Sequence, residues 1–559
     1  MVHGDRNCLV MAGLFSAALI FFYPLVLPTP LLEPDEGLHA TISQEMLEHG
    51  EWIVPTVHGQ PFLDKPILYF WTQMIGLKTF GMHEWAVRLP GLLFGLLGSL
   101  TTGLLAWRLF GRQIAAIATL MSMTMFLPLV MAQAATHDVA LVPWTNLAIL
   151  CLWATETSST RRQQVGWLAG AACMVGLAIL TKALIGVAIV CIGYGLFLIF
   201  SRRLSLARCV RLAVVLLVGL LMASPWFIAM EIRDRGYLYY YFIERHLLGF
   251  ATSTQPHGEE SWYYYAPFVL LGSIPWSWTI VPLLFDEWRG RKSRTATAPE
   301  MILLLCWLIG GLLFLSIAKS KLSTYALPLF PAIAILTAVS WQRFVDRQCS
   351  AATVTWFSWM NRLSGVAGAI APIVAMLGLQ LLLHTTWPAI CWLAAGVVSA
   401  ISIASLIDAE NKRYARSFAL CCTWIAGMVA ILMTWPFQNV AESYSERRLA
   451  EWINRQDSLP EHLILIGGKP SSVIFYLKPE WRHVLEPEQF VEMHIAELTA
   501  YTELEDGDVL AFTQHAVEDA SAECQQILSQ SDETAGQFQI IRGTDDEFLP
   551  VQVAGKFSR

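Results

Sequence analysis

The sequence predicts a mostly α-helical protein that crosses a membrane about thirteen times and ends in a small α/β domain. Two observations predict this fold class. Of the 559 residues, 55% are hydrophobic and only 14% are charged, an apolar share above that of soluble domains. The apolar residues also gather in runs of about 17–25, the length that crosses a bilayer as a helix. We therefore expect most of the chain to lie in lipid.

The individual spans follow from these apolar runs. Pro128 and Pro275 interrupt two of them, and a proline inside a helix removes a backbone donor. The N-terminal run has no small-residue cleavage site after it, so we expect an uncleaved span. The predicted spans are 9–28, 91–109, 113–131, 139–155, 164–181, 184–200, 209–230, 264–285, 301–317, 324–341, 364–383, 386–407 and 417–435.

The arginine and lysine content of the loops predicts the orientation. Alternate connectors carry clusters of Arg and Lys, whereas the long loops 29–90 and 231–262 are poor in them for their length. Cytoplasmic loops of membrane proteins are enriched in these residues. We therefore expect a cytoplasmic N-terminus, two large outward loops and, because the number of spans is odd, an outward C-terminal segment.

The composition changes after Trp435, where the chain becomes polar. Two strand-like runs alternate with two helical patterns, which predicts an α/β domain with a partly parallel sheet. These are Glu446–Asn454, Leu463–Ile466, Val509–Phe512 and Ala516–Leu528. The predicted division is thus 1–435 for the membrane domain and 436–559 for the soluble domain.

The cysteines and the net charge say little about the function of the protein. Nearly all of the eleven cysteines sit inside apolar runs, and only Cys524 falls in the soluble segment. Neither a disulfide framework nor a zinc ribbon is therefore expected. The formal net charge of −7 argues neither for nor against nucleic-acid binding.

The loop 29–90 holds the first candidate site residues. It is far longer than an ordinary connector, and charge near a bilayer is costly unless it has a partner or a function. Asp35 and Glu36 open a helical pattern, so they either cap that helix or include a general base whose pKa is raised by partial desolvation. Asp64 and Lys65 precede another apolar pattern. Lys65 is either an interfacial anchor or a ligand of phosphate.

Further charged groups lie in the other outward loops. Asp138 sits in the loop between the third and fourth spans, and Lys182 sits in a short outward turn where a lysine is unusual. His246 follows a run of aromatic residues that is typical of a membrane-interface belt. Lys321 and Tyr325 stand at the entry to the tenth predicted span. Lysines from three loops suit a lipid-borne phosphate.

In chain order, these pieces read DE after the first span, DKP before a helix, HD, LTK, ERH and KSKLSTY. This series closely resembles the bacterial lipid-A aminoarabinose transferases and the related protein O-mannosyltransferase-like glycosyltransferases of the GT-C fold. The resemblance covers nearly the whole membrane portion. It implies an inverting sugar transfer from a polyprenyl (undecaprenyl) monophosphate donor, at the periplasmic face of a bacterial inner membrane.

The resemblance also implies roles for single residues. Asp35 matches the acid near the reaction centre and Glu36 its companion, while Lys65 matches a ligand of the donor phosphate. Asp64 and His246 match a pair that holds a divalent metal, with zinc, magnesium or manganese as candidates. The remaining cavity positions are Asp138, Lys182, Lys321 and Tyr325. The implied partners are the sugar donor, a lipid, glycan or protein acceptor and membrane lipids, without nucleic acid.

The chain departs from the family pattern in the first loop. The family typically reads DE followed by Thr or Ser, Arg, Tyr and Ala, whereas this chain continues Gly37-Leu38-His39-Ala40. The family's EKPP is DKPI here, and Phe62 stands where a Tyr is common. Despite these departures, the resemblance still implies a polyprenyl-phosphate sugar donor. It does not identify the sugar or the acceptor.

A transporter or lipid flippase is the competing hypothesis, and a non-catalytic scaffold is a third. Transporters place ionisable groups at the membrane midplane, often on broken helices in repeated halves. Here the charged groups cluster in loops on one face, and no repeat is visible in the sequence. A scaffold would not need convergent acids and lysines. The sequence therefore favours the glycosyltransferase.

Overall fold

The structure is a computed structural model, and it is mostly helical. It describes residues 3–248, 260–282, 285–286, 298–382, 386–443 and 445–459, and in the tail 463–466, 471–482, 490–493, 509–512, 533–535 and 538–542. The α-helices within these residues are His3–Ala17, Asp35–Glu48, Leu68–Phe80, Glu84–Phe110, Arg112–Thr124, Phe126–Ala132, His137–Thr157, Arg161–Lys182, Leu184–Phe200, Leu206–Arg233, Tyr237–Tyr239, Tyr265–Gly272, Pro299–Ile317, Phe330–Val345, Ala351–Leu382, Ala389–Glu410, Tyr414–Met433, Trp435–Ser443, Arg447–Ile453, Ser471–Tyr476 and Pro479–Arg482.

Short π and 3-10 segments complete the helical part of the described chain. The π-helical segments are Ala18–Phe22 and Tyr240–Leu248, and the 3-10 segments are Tyr23–Val26, Ser277–Thr279 and Ser323–Leu329.

Ten helices in the described part of the chain are long and apolar enough to cross a membrane. They are Asn7–Val26, Glu84–Phe110, His137–Thr157, Arg161–Lys182, Leu206–Arg233, Pro299–Ile317, Ser323–Val345, Ala351–Leu381, Ala389–Glu410 and Tyr414–Met433. Each of them overlaps a predicted span. A polytopic membrane protein is thereby confirmed, although the prediction of about thirteen spans counted three further segments that are not among these ten helices.

Prolines explain two of these three segments. The span predicted at 113–131 is two helices that meet at Met125 with a bend of 65°. The ring of Pro128 would clash with the carbonyl four residues earlier, at Thr124, so the first helix ends there. The N–H of Phe126 donates instead to the carbonyl of Ile274, 3.1 Å away.

Of the other two segments, only the one predicted at 264–285 is shorter than expected. In 264–285 the helix Tyr265–Gly272 stops before Pro275, and a 3-10 turn follows at Ser277–Thr279. The third segment, Leu184–Phe200, is one apolar helix of 17 residues with the predicted bounds, and its length is close to the lower limit for a span.

The described chain forms two compact units. The first consists of 1–27, 63–76 and 85–436. Within it, His137–Thr157 and Arg161–Lys182 are consecutive helices joined by a short turn, so they run antiparallel. Asp138 in the first turn of one helix and Lys182 in the last turn of the other therefore lie at the same end of this hairpin.

The second unit consists of 28–62, 77–84 and 437–559. Its strands are β1 Thr56–Val57, β2 Gln60–Pro61, β3 Leu463–Ile466, β4 Phe490–Met493, β5 Val509–Phe512, β6 Glu533–Ala535 and β7 Phe538–Arg542. Strands β1 and β2 form a hairpin, and the other five form a sheet of order β4-β3-β5-β7-β6. Strand β3 pairs in parallel with β4 and β5, whereas β7 is antiparallel to both of its neighbours.

The tail elements predicted from the sequence fall partly within the described residues. Strands β3 and β5 have the predicted bounds, and the predicted helix Glu446–Asn454 is observed at Arg447–Ile453. The predicted helix Ala516–Leu528 lies outside the described residues. The division into 1–435 and 436–559 stays a prediction. The two compact units do not follow it, because the second unit also contains 28–62 and 77–84. We call Asp35–Glu48 the acid helix and Ser471–Tyr476 the tail helix; the two pack against each other within the second unit.

Candidate active site

A cavity of 490 Å³ in the first unit is the centre of the candidate site. Its polar lining comes from Asp64, Lys65, Lys182, Arg245, His246, Ser320 and Tyr325. Its apolar lining includes Leu184, Ile185, Ala188, Phe242, Phe314 and Leu315. Cationic groups beside a hydrocarbon wall suit a ligand with an anionic head and an apolar chain.

Lys182 has two partners at this cavity. Its ammonium is paired with the carboxylate of Asp138, and both side chains are largely buried, with exposures of 11% and 14%. The Lys182 Nζ also lies 4.1 Å from the ring centroid of Tyr325, a cation–π contact. Three of the predicted site residues are thus brought together at the end of the helical hairpin.

Lys65 is a partly buried cation in the lining of the same cavity. Burial, followed by the neighbouring Lys182 cation, lowers its pKa to about 8, although the Asp138 and Asp64 carboxylates oppose the shift. An amine that is poorly solvated and close to another cation gains more from an added anion than a surface lysine does. Lys65 is therefore suited to bind phosphate.

Asp64 is held by two groups from one short π-helical segment, Tyr240–Leu248. Its Oδ1 accepts a hydrogen bond of 2.6 Å from the Tyr240 hydroxyl, and its Oδ2 lies 2.9 Å from Nη2 of Arg245. In a π-helix, residues five apart fall close to one face, which places these two side chains together. Burial, with this bond to Asp64, raises the pKa of Tyr240 to about 12.

His246 is partly buried next to this cluster. Its Nδ1 lies 2.6 Å from the carbonyl oxygen of Tyr241, and burial lowers the pKa of its ring. Because a carbonyl oxygen only accepts, Nδ1 is the donor and the lone pair is on Nε2. That tautomer is suited to a metal ligand.

Asp64, the other predicted ligand, fits a metal less well. Both oxygens of Asp64 already have partners, and one of those partners is the guanidinium of Arg245, which would repel a divalent cation. Among the described residues, no group of three or more His, Cys, Asp and Glu side chains is arranged to hold a metal. The metal assignment to Asp64 and His246 stays a prediction, and no reaction step below depends on it.

Lys321 has a structural contact. Its side chain is buried, and its Nζ donates a hydrogen bond of 2.8 Å to the carbonyl of Glu260. Neighbouring Ser320 and Tyr325 line the cavity. The predicted role of Lys321 at the donor phosphate stays a prediction.

Asp35 and Glu36 open the acid helix in the second unit, whereas the cavity belongs to the first. Asp35 is exposed. Glu36 is buried, and its Oε2 accepts a 3.0 Å hydrogen bond from the N–H of Leu32 just ahead of the helix. This hydrogen bond ties Glu36 to the segment before the helix and not to an N–H of the helix itself, and the predicted roles of Asp35 and Glu36 stay predictions.

Sequence reasoning assigned no role to Tyr240 and Arg245. Tyr240 belongs to an aromatic run that we interpreted as an interface belt, and Arg245 stands inside the ERH motif without a predicted partner. The useful signal was their spacing of five residues, but only a π-helix makes that spacing meaningful. The same sequence in an α-helix would direct them to different faces.

Comparison with known proteins places this geometry in context. Residues 64–228 match the family model described as dolichyl-phosphate-mannose-protein mannosyltransferase. The chain is 31% identical over 454 residues to the undecaprenyl phosphate-α-4-amino-4-deoxy-L-arabinose arabinosyl transferase of Edwardsiella ictaluri, covering 79% of this chain and 80% of the relative. A second such transferase, from Proteus mirabilis, is 31% identical over 381 residues, covering 67% of this chain and 66% of the relative.

A solved structure shows the same fold. The crystal structure of ArnT from Cupriavidus metallidurans bound to undecaprenyl phosphate aligns with a TM-score of 0.73 and 20% sequence identity, covering 98% of this chain and 99% of that chain. At this level of identity the likeness concerns the fold alone. It confirms the GT-C fold that the sequence motifs imply.

Proposed function

The chain belongs to the family of undecaprenyl phosphate-α-4-amino-4-deoxy-L-arabinose arabinosyl transferases, and we propose that the cavity at Lys65 and Lys182 holds its donor phosphate. It is a multi-pass membrane glycosyltransferase that depends on a polyprenyl-phosphate sugar. The expectation of an enzyme is thereby confirmed. Family membership also sets aside the transporter and scaffold hypotheses.

One observation supports the donor site above the others, namely the mixed lining of the cavity. Lys65, Lys182 and Arg245 supply positive charge at one place, and the aliphatic and aromatic wall begins directly beside them. Undecaprenyl monophosphate has the matching character, an anionic head on a long hydrocarbon. Sugar transfer breaks the bond between the sugar and this phosphate, so negative charge develops on the leaving phosphate. Fixed cations stabilise that charge.

The attacking group is supplied by the acceptor. If the acceptor is a hydroxyl, Asp35 accepts its proton while the oxygen attacks the sugar on the face opposite the phosphate, with inversion. An acceptor phosphate is already ionised and needs no base, and Asp35 then only orients groups. Glu36 supports the start of the helix that carries Asp35. Asp64, with Tyr240, orients the guanidinium of Arg245.

The first sugar to test is 4-amino-4-deoxy-L-arabinose, since the names of the similar transferases specify it. Lipid A is the first acceptor to test, followed by other envelope glycans and proteins. We place the enzyme in the bacterial inner membrane, with a cytoplasmic N-terminus and a periplasmic cavity and tail. Comparing envelope lipids and glycans with and without the protein, by mass spectrometry, identifies the acceptor.

The decisive experiment uses the purified full chain in detergent with an undecaprenyl-phosphate sugar. We expect the donor to be consumed without any sealed compartment and Lys65→Gln to reduce turnover about 100-fold. Lys78→Gln is the matched control, because Lys78 is an exposed lysine and its loss should leave turnover unchanged. Equal turnover in all three proteins would show that Lys65 does not serve the donor.

Asp35→Asn tests the base separately. Near-complete loss of transfer to a hydroxyl acceptor supports the proposed proton transfer, whereas turnover close to that of the wild type excludes it.

A second measurement tests whether the chain binds a metal. If Asp64 and His246 hold one, elemental analysis finds about one equivalent per chain, and exhaustive chelation removes both the metal and the activity.

A further inference from the structure

Contacts between the acid helix and the tail point to a function for the tail. We propose that residues 471–482 position the acid helix, so that the tail takes part in sugar transfer by fixing where Asp35 stands. This inference rests on the proposed function of Asp35. It also assigns a role to a segment that the sequence left without one. Glu33, Thr41 and Glu48 on one side and Ser471, Ser472 and Arg482 on the other carry the contacts.

The first contact lies just before the acid helix. Oε1 of Glu33 accepts a 2.8 Å hydrogen bond from the backbone N–H of Ser472. The Ser472 hydroxyl lies 3.5 Å from Oε2 of Glu446, which is buried. The N–H of Leu31 donates a 2.8 Å hydrogen bond to the Tyr476 hydroxyl. The chain that leads into Asp35 is thus bonded to both ends of the tail helix.

Two more contacts follow along the acid helix itself. Near the middle, the hydroxyl of the fully buried Thr41 donates to the carbonyl of Ser471. At the C-terminal end, Glu48 and Arg482 form an ion pair of 2.7 Å, with side-chain exposures of 18% and 10%. A partly buried ion pair of this kind is a stronger anchor than an exposed pair. The 14-residue helix is therefore held at its start, middle and end.

The tail residues that make these contacts are themselves fixed. Asn454 donates a 2.9 Å hydrogen bond to the carbonyl of Tyr476 and accepts one of 2.9 Å from the N–H of Lys478. A small apolar core joins this part of the tail to the helix Arg447–Ile453, and its buried members are Leu449, Ala450, Ile453, Val473 and Leu477. The acid helix thus contacts a part of the tail that has its own packed apolar core.

Gly37 leaves room for the Glu33 carboxylate that contacts the tail helix. A methyl group at Gly37 would overlap the carboxylate of Glu33, so a side chain at this position would displace the group that bonds Ser472. The absence of a side chain at Gly37 and the hydrogen bond of Glu33 to Ser472 therefore belong to one arrangement, in which the tail holds the start of the acid helix.

Positioning explains why such contacts would matter for the reaction. A misplacement of about 1 Å of a catalytic group can cost about 100-fold in rate. Residues 28–62 belong to a long segment between two membrane helices, and such connecting segments are more mobile than the helices they join. Holding the acid helix acts on turnover and not on the binding of the donor phosphate, whose cationic ligands lie in the first unit.

The test reverses the ion pair at the end of the helix. Arg482→Glu and Glu48→Arg are each expected to lower kcat about 10- to 100-fold, and the dissociation constant for undecaprenyl phosphate should change less than twofold. The double variant restores the pair and should regain most of the kcat. Lys478→Glu is the matched control, because it reverses a charge at an exposed position of the same segment and should leave kcat unchanged.

Hydrogen–deuterium exchange supplies an independent readout. Each single variant should speed exchange in residues 35–48, and so should the milder Tyr476→Phe, which removes only the hydroxyl that accepts from Leu31. Wild-type kcat in both charge variants, or a loss of kcat without faster exchange in 35–48, would overturn the inference. A wild-type protein that consumes no donor would instead refute the proposed function, and the exchange data would still report on the contacts.

Discussion

At the scale of the residue, Lys65 links donor binding to pH. Its pKa is lowered to about 8, and only the protonated amine attracts phosphate. We therefore expect the affinity for undecaprenyl phosphate to be constant from pH 7 to 8 and to weaken above pH 8, approaching tenfold per pH unit. Calorimetric titration across pH 7–9.5 measures this dependence.

The control for this prediction keeps the charge. Lys65→Arg retains its proton throughout the range, because the guanidinium pKa exceeds about 12. Its affinity is lower but flat with pH. Lys78→Arg should behave like the wild type, because Lys78 is exposed. If the affinity of the wild type does not begin to fall near pH 8, the phosphate is bound by cations other than Lys65.

Asp64 is the second residue whose role can be measured. Asp64→Asn removes the ion pair that orients the Arg245 guanidinium at the cavity, so we expect undecaprenyl phosphate to bind about tenfold more weakly. Tyr240→Phe removes one hydrogen bond and should weaken binding a few-fold. Tyr239→Phe is the matched control, since Tyr239 is 61% exposed. Binding at the wild-type level in Asp64→Asn would argue against this role.

At the scale of the element, a pair of carboxyl groups makes the second unit sensitive to pH. Burial raises the pKa of Glu33 to about 8 and that of Glu446 well above its usual range, and the nearby Glu33 carboxyl adds to the shift of Glu446. Asp35 and Glu36 add to the shift of Glu33, while Ser472 opposes it. The folded unit therefore keeps protons that the unfolded chain releases above about pH 4.5.

The sign of the effect on stability follows. Because the folded state holds more protons, stability falls as the pH rises from about 4.5 through 8. We expect the melting temperature to decline over pH 5–9, and Glu33→Gln or Glu446→Gln to flatten the decline. Glu451→Gln changes an exposed carboxylate and should leave the slope unaltered. Thermal unfolding in detergent, followed by circular dichroism, gives the comparison.

Gly37 provides a structural test at the same scale. Gly37→Ala inserts a methyl group against the Glu33 carboxylate, and overpacking of this kind costs about 1–3 kcal/mol. The cost should shrink in a Glu33→Ala background, where the space is free. Gly166→Ala, at an exposed helical position with open space around it, should be neutral or slightly stabilising. An equal loss of stability in both backgrounds would show that the new methyl group does not clash with Glu33.

At the scale of the whole molecule, the predicted topology can be checked with reporters. Alkaline phosphatase fused after Arg559 should be active, because it folds in the periplasm, and a green fluorescent protein at the same place should be dark. The same phosphatase fused after Thr157, in a turn that we assign to the cytoplasm, should be inactive. The opposite pattern at both positions would reverse the proposed orientation.

The sequence predicted what depends on local chemistry. Ten apolar runs are spans because hydrophobic length alone decides them. Lys182 and Asp138 could be placed on the same side because they end and begin neighbouring helices. Pro128 and Pro275 were recognised as interruptions, but a sequence does not say whether a proline kinks a helix or breaks it.

Contacts between distant segments could not be predicted. Asp64 and Tyr240 are 176 residues apart, and Glu33 and Ser472 are 439 apart. Their meeting depends on packing that no local pattern encodes. Tyr240 and Arg245 moreover converge only because their segment is π-helical. The family resemblance supplied the candidate site residues. It did not supply the partners that hold them.

The long separation between the acid helix and its anchors has a consequence for synthesis. Ribosomes release a chain from its N-terminus onward, so Asp35 emerges well before Ser472 and Arg482 exist. Until those residues follow, the helix lacks its support. Under the proposed role of the tail, a nascent or prematurely terminated chain cannot transfer sugar even after its spans have inserted. Completion of translation would then itself switch the enzyme on.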